Sequence, residues 1–157
     1  MFRHLLGAAF AAALLIVPAI AHDTFTVGDI EISGAFSRAT LPGAPVGGGF
    51  LTITNTGSAD DMLISATSPA AGKVELHQMK MEGDVMRMSE MPDGIPVPAG
   101  ETVVLAPGGL HIMFMELTAP FVENESVPVT LTFAEAGTVE IVLLVASPNA
   151  DEPEHHN

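Results

Sequence analysis

Apolar and polar residues alternate along much of the chain after residue 22, and a period of two is the pattern of a half-buried strand. The alternation is visible in TFTVGDIEIS (Thr24–Ser33), GFLTITNTG (Gly49–Gly57) and VPVTLTF (Val127–Phe133). TVEIVLLV (Thr138–Val145) begins with alternation and passes into a continuous apolar run, as a more deeply buried strand would. Turn signals separate these runs: Leu41-Pro-Gly, Asn55-Thr-Gly, Pro92-Asp-Gly, Pro98-Ala-Gly, Pro107-Gly-Gly and Glu135-Ala-Gly. No segment beyond residue 21 carries a helical period with caps, and there are no internal repeats. Many short strands at this spacing predict an antiparallel sandwich or barrel.

The first residues read differently. Arg3 and His4 precede the apolar run LLGAAFAAALLIVPAI, which ends in Ala19-Ile20-Ala21. A short positive region, an apolar stretch and a small-residue site describe a secretory signal peptide, too short and too broken by Pro18 for a membrane span. The expected organisation is a signal peptide over 1–21, one β domain over 22–146 and an acidic, histidine-bearing disordered tail over 147–157. Residues 22–157 suffice for one domain that buries roughly two thirds of its unfolded surface. With the signal removed, no membrane insertion is expected and the periplasm is the expected compartment.

Export places a chain where cysteines would pair, yet this one has none. Any soft metal ligand must therefore be a sulfur that cannot form a disulfide. Residues 22–157 hold four cations against nineteen acids, a net charge of −15 that keeps a chain soluble and monomeric and disfavours nucleic acid or an anionic membrane as partner.

Seven of the nine methionines and two of the six histidines fall in two stretches, VELHQMKMEGDVMRMSEM (Val74–Met91) and GGLHIMFMEL (Gly108–Leu117). On a strand, residues two apart share a face, so His77, Met79 and Met81 point one way, Met86 and Met88 share a face on the next strand, and His111, Met113 and Met115 on a third. A two-residue turn at Gly83-Asp84 pairs Met81 with Met86, Met79 with Met88 and His77 with Glu90, which puts the set on one face. A three-residue turn would pair Met79 with Arg87 and split it. Core filling explains any single methionine here. It explains less well two histidines in register with sulfur, among Lys80, Glu82, Asp84 and Arg87. Thioether sulfur selects Cu(I) and imidazole also suits copper, so the set reads as a copper site that captures and releases its ion.

The same residues resemble the PCuAC copper chaperones of the bacterial periplasm. SRATLPGAPVGGGFLTITNTG is similar to that family's first half, and VELHQMKMEGDVMRM, IPVPAGETVVLAPGGLHIMFM and VPVTLTF…GTVEIVLLV to its second. The family's metal motif is a histidine, ten residues, a methionine, then a distant His-x-Met. Here ten residues separate His77 from Met88, and His111-Ile112-Met113 follows. The resemblance implies a cupredoxin-like β-sandwich of Greek-key type that binds Cu(I) through His77, Met88, His111 and Met113. It also implies delivery of copper to the assembling centres of cytochrome c oxidase, directly to its subunit or through a thiol-bearing assembly factor. Twenty-two residues separate Met88 from His111, one more than in the motif, so Met86 stays open as a replacement for Met88. Met79 and Met81 are further alternates.

Outside these stretches, His155 and His156 beside Glu152 and Glu154 form a weak Cu(II) donor set, as does His22 if it becomes the mature N-terminus. Catalysis finds no support: there is no cysteine nucleophile, G-x-S-x-G, HExxH or glycine-rich phosphate loop. A blue-copper centre lacks its thiolate. The alternative to a chaperone is a copper buffer in metal tolerance with no dedicated acceptor.

Overall fold

In VPVTLTF the alternation becomes burial: Val127, Val129, Leu131 and Phe133 lie in the core, while Ser126 and Pro128 face outward. The structure, a computed structural model, describes residues 23–153. The expected signal peptide, His22, His155 and His156 lie outside the described residues. Eleven strands follow in order: β1 (Phe25–Val27), β2 (Ile30–Arg38), β3 (Val46–Asn55), β4 (Asp61–Thr67), β5 (Ala71–Glu82), β6 (Val85–Glu90), β7 (Ile95–Val97), β8 (Thr102–Leu105), β9 (Leu110–Leu117), β10 (Ser126–Phe133) and β11 (Gly137–Ala146). Among the described residues there is no helix, hence none long and apolar enough to cross a membrane.

Hydrogen bonds link the strands in the order β6-β5-β9-β8-β3-β2-β11-β10-β4-β7, with β1 on β2 and an additional pairing of β9 with β3. Strands from opposite ends of this path share one core. Leu76 of β5 and Ile112 and Phe114 of β9 meet Leu63 of β4, Ile95 and Val97 of β7 and Leu131 and Phe133 of β10. The sheet therefore folds over as a two-layer β-sandwich, because each layer is apolar on one face only. Each fully buried Leu, Ile or Phe here contributes on the order of 1.5–3 kcal/mol.

Three expectations change. Thr24–Ser33 is not one strand but the hairpin β1–β2, with Val27 paired to Ile30 around Gly28-Asp29 and Gly28 at φ 55°. The pairings are not all antiparallel: β11 runs parallel to β2, and β8 parallel to β9. The tail expected to be disordered from residue 147 is packed at its start. Ala150 is buried with Phe36, Phe50 and Ala146, and Arg38 donates from Nε to the Ala150 carbonyl (2.7 Å) and from Nη2 to Asp151 (2.8 Å). The Arg38 guanidinium also lies 5.8 Å from the centre of the Phe50 ring.

The glycine run at the start of β3 seats β9. A Cβ on Gly49 would stand 2.8 Å from the Phe114 ring and 2.9 Å from Leu143. Without one, β3 lies against β9 with Gly49 opposite Ile112 and Gly48 opposite Met113. Phe114 and Ile112 then fill the core on one side of β9, and His111 and Met113 project on the other.

Candidate metal centre

The β5–β6 hairpin takes the two-residue form. Glu82 pairs with Val85, Met81 with Met86, Met79 with Met88 and His77 with Glu90. Gly83 has φ +64°, a conformation open to glycine at little cost. On its other side β5 pairs with β9, and His77 stands directly opposite His111, with Glu75 opposite Met113. One face of three adjacent strands thus carries Glu75, His77, Met79, Met81, Met86, Met88, Glu90, His111, Met113 and Met115.

Two depths divide this face. His77 and His111 are 7% and 5% exposed, whereas Met81, Met86 and Met88 are about half exposed, at 55%, 48% and 47%. Met79, Met113 and Met115 lie between. Met88 is one diagonal step from His77, since its partner Met79 is two residues along β5; Met86 is a further step out, opposite Met81.

The two imidazoles have ring centres 5.8 Å apart, tilted by 53°. Each is held by one nitrogen. His77 donates from Nε2 to the Glu75 carboxylate at 2.7 Å. His111 donates from Nδ1 to the Gly109 carbonyl at 3.0 Å, an oxygen that also accepts the backbone N–H of Met79. Carboxylate and carbonyl oxygens accept only, so they fix the proton on those nitrogens and leave a lone pair on the others. Those others, His77 Nδ1 and His111 Nε2, are buried and have no partner among the described residues. A buried acceptor left unmade costs about 1–3 kcal/mol. An ion that needs neutral imidazole nitrogen would relieve both at once, with both rings already oriented.

Electrostatics favour the neutral ring at His111. Burial pushes His111 below its ordinary value; repulsion from His77 adds to this, against the opposing Gly109 hydrogen bond. Hydrogen bonds from Lys73 and then His77 hold the Glu75 carboxyl below the usual carboxylate range. Among the described residues no group of three or more His, Asp or Glu is placed to hold a metal ion. The soft donors adjoining the imidazole pair on this face are the thioether sulfurs.

The structure brings His77, His111, Met113, Met88 and Met79 onto one face, with Met81 and Met86 at its outer end. The sequence reading missed Glu75 and Gly109. Glu75 stands two residues before His77 on one strand, where the period of two that aligned the methionines applies to it; Gly109 acts through its backbone carbonyl, which no side-chain period marks.

This fold is that of the PCuAC domains. The copper-bound PCuAC domain from PmoF2 matches at a TM-score of 0.68 and 26% identity, over 80% of this chain and 99% of that one. The solution structure of the Cu(I) form of DR1885 from Deinococcus radiodurans matches at 0.60 and 26%, over 82% of this chain and 83% of that one. By sequence the chain belongs to the LpqE-like family, whose model, described as "Putative lipoprotein LpqE-like", matches residues 30–145. A protein of Leifsonia xyli subsp. xyli named "Putative lipoprotein Lxx21020" is 34% identical over 150 residues, 90% of this chain and 89% of the relative.

Proposed function

We propose that this protein is an exported Cu(I) metallochaperone whose ion is held by His77, His111, Met113 and Met88. The observation that carries this reading is the facing pair of buried imidazoles, each with one nitrogen tied to oxygen and the other open. The copper-bound relatives support it. Imidazole and thioether are neutral ligands, so Cu(I) keeps its charge, and no sulfur is deprotonated on binding. A receiving cysteine thiolate binds Cu(I) more strongly than thioether does, and this gives transfer its direction. The proposed receiver is a copper centre of cytochrome c oxidase under assembly, or a thiol-bearing factor that serves it. Nothing here requires an enzymatic step.

Export is supported by the lipoprotein descriptions of the family and of the Leifsonia relative. We place the processed, monomeric domain in the periplasm after cleavage behind Ala21, with Cu(II) binding by His22, His155 and His156 a secondary property.

Anaerobic titration with Cu(I) against a competing chelator tests the site. Wild-type protein takes up a tight equivalent, and the His111→Ala, Met113→Ala double variant loses it. Equal weak binding by both would end the copper reading. A buffer role in copper tolerance uses the same ligands, and deletion separates the two: a chaperone's loss lowers oxidase activity at low copper, and a buffer's loss raises only copper sensitivity.

A further inference from the structure

Strand β6 gives nothing to the core: all six of its residues are exposed. Among the described residues it pairs only with β5, at one end of the path of strands. Methionine earns its place inside proteins by filling irregular gaps, and there is no gap here to fill. Yet Met81 and Met86 are directly opposed at the tip of this ribbon, about half exposed, with Met79 and Met88 opposed one step inward. Directly opposed side chains have Cβ atoms roughly 4.5–5.5 Å apart, and one step along a strand face is about 7 Å. Both spacings are within reach of the flexible methionine side chain.

We propose that the ribbon holds a second, outer Cu(I) site, made of the thioethers of Met79, Met81 and Met86 and lying outward of the histidine pair. The identity of the ion rests on the copper reading above; the position of the site rests on the hairpin register. Three soft neutral sulfurs form a Cu(I) donor set with no imidazole, so the outer site does not compete with protons. Arg87 is paired with Glu82 at 2.9 Å on the opposite face of the ribbon, so its charge is turned away from the sulfurs. Met79 lies between the two sites and is opposite Met88, which gives the ion a path inward. It leaves one thioether as it gains Met88 and then an imidazole nitrogen. Every ligand in that exchange is neutral, the ion stays at +1, and no electron or proton moves.

The test is anaerobic titration of the full chain with Cu(I), with the methionine methyl groups followed by NMR and a chelator setting the free-ion level. The expected result is two equivalents, the second at least tenfold weaker. The first moves the Met113 methyl and the histidine signals; the second moves the Met81 and Met86 methyls. The Met81→Leu, Met86→Leu variant changes only exposed side chains, so its fold is safe, and it should lose the second equivalent alone. Uptake of a single equivalent that leaves the Met81 and Met86 methyls unmoved, or a second equivalent that survives in the leucine variant, overturns the proposal. Uptake at Met81 and Met86 with no response from His77, His111 or Met113 would sustain the outer site and end the histidine-centred reading.

Discussion

The Glu75 carboxylate accepts a 2.7 Å hydrogen bond from His77 Nε2, and the same residue is paired with Lys73 two positions earlier on the strand face. The ring is thereby fixed from one side, with Nδ1 left as its open acceptor. Glu75→Gln keeps the shape and an acceptor oxygen but removes the charge that holds the tautomer. Loss of such a supporting contact weakens metal binding by roughly 10–100-fold. The expected outcome is a drop of that size in Cu(I) affinity with stoichiometry unchanged, read by chelator competition. An unchanged affinity would remove Glu75 from the site.

The register separates Met88 from Met86. Met88 is diagonal to His77, and Met86 is one step further out. Met88→Leu should weaken the tight equivalent by at least the roughly tenfold that a supporting contact is worth. Met86→Leu should leave that equivalent alone. The reverse order would place the ligand one step outward and shift the inner site toward the ribbon tip.

Acid should act on both binding and stability. His111 has a folded value below its ordinary 6.5, so between those two values the unfolded chain takes up the proton and the folded one does not. Stability is complete above about pH 6.5 and is lost as the pH falls through the lower folded value. Glu75 acts in the same direction further down: its contribution is present above its ordinary 4.5 and is lost as the pH falls through its lowered value. Urea midpoints of the metal-free protein should therefore fall from pH 7.5 to 5, and His111→Gln should flatten the upper part of that decline. Copper affinity should hold near neutrality and weaken below about pH 6, since bound imidazole must be neutral. Constant affinity down to pH 4 would argue against histidine ligation.

Gly49 makes a prediction about how the site is seated. Its missing Cβ is the space taken by the Phe114 ring and Leu143. Gly49→Ala should cost about 1–3 kcal/mol by overpacking, measured by urea denaturation. Gly83→Ala strains only an exposed turn with open space around it, at φ +64°. It should cost about 1 kcal/mol.

The histidine and methionine face was legible because a two-residue hairpin shifts the phase of alternation. Met79 and Met81 are odd-numbered and Met86 and Met88 even, and Gly83-Asp84 sits where the parity changes. The same signal stands at Gly28-Asp29, between Phe25 and Val27 on one side and Ile30 and Ile32 on the other. There the parity change went unread, and two strands were taken as one. The parallel pairings were not legible, because no local pattern says which distant strand will become a neighbour. The packed start of the tail was hidden for a similar reason. Nothing in SPNAD marks Ala150 as the cover for Phe36 and Phe50; the aromatic pair on β2 and β3 decides it. Glu75 looked like one acid among nineteen until the strand face set it beside His77.

The unequal support of the two sides of the proposed copper face has a consequence for release. His77 and His111 belong to strands whose reverse faces are buried in the core, and their amides should exchange with solvent only on global unfolding. Strand β6 is held by one neighbour and contributes no buried side chain, so its amides should exchange by local opening, orders of magnitude sooner. One wall of the site is thus fixed and the other can swing aside. On the proposed ligation, an incoming thiolate would displace the thioether of the yielding wall first, while both imidazoles still hold the ion, so copper would leave one ligand at a time from a domain that never has to unfold.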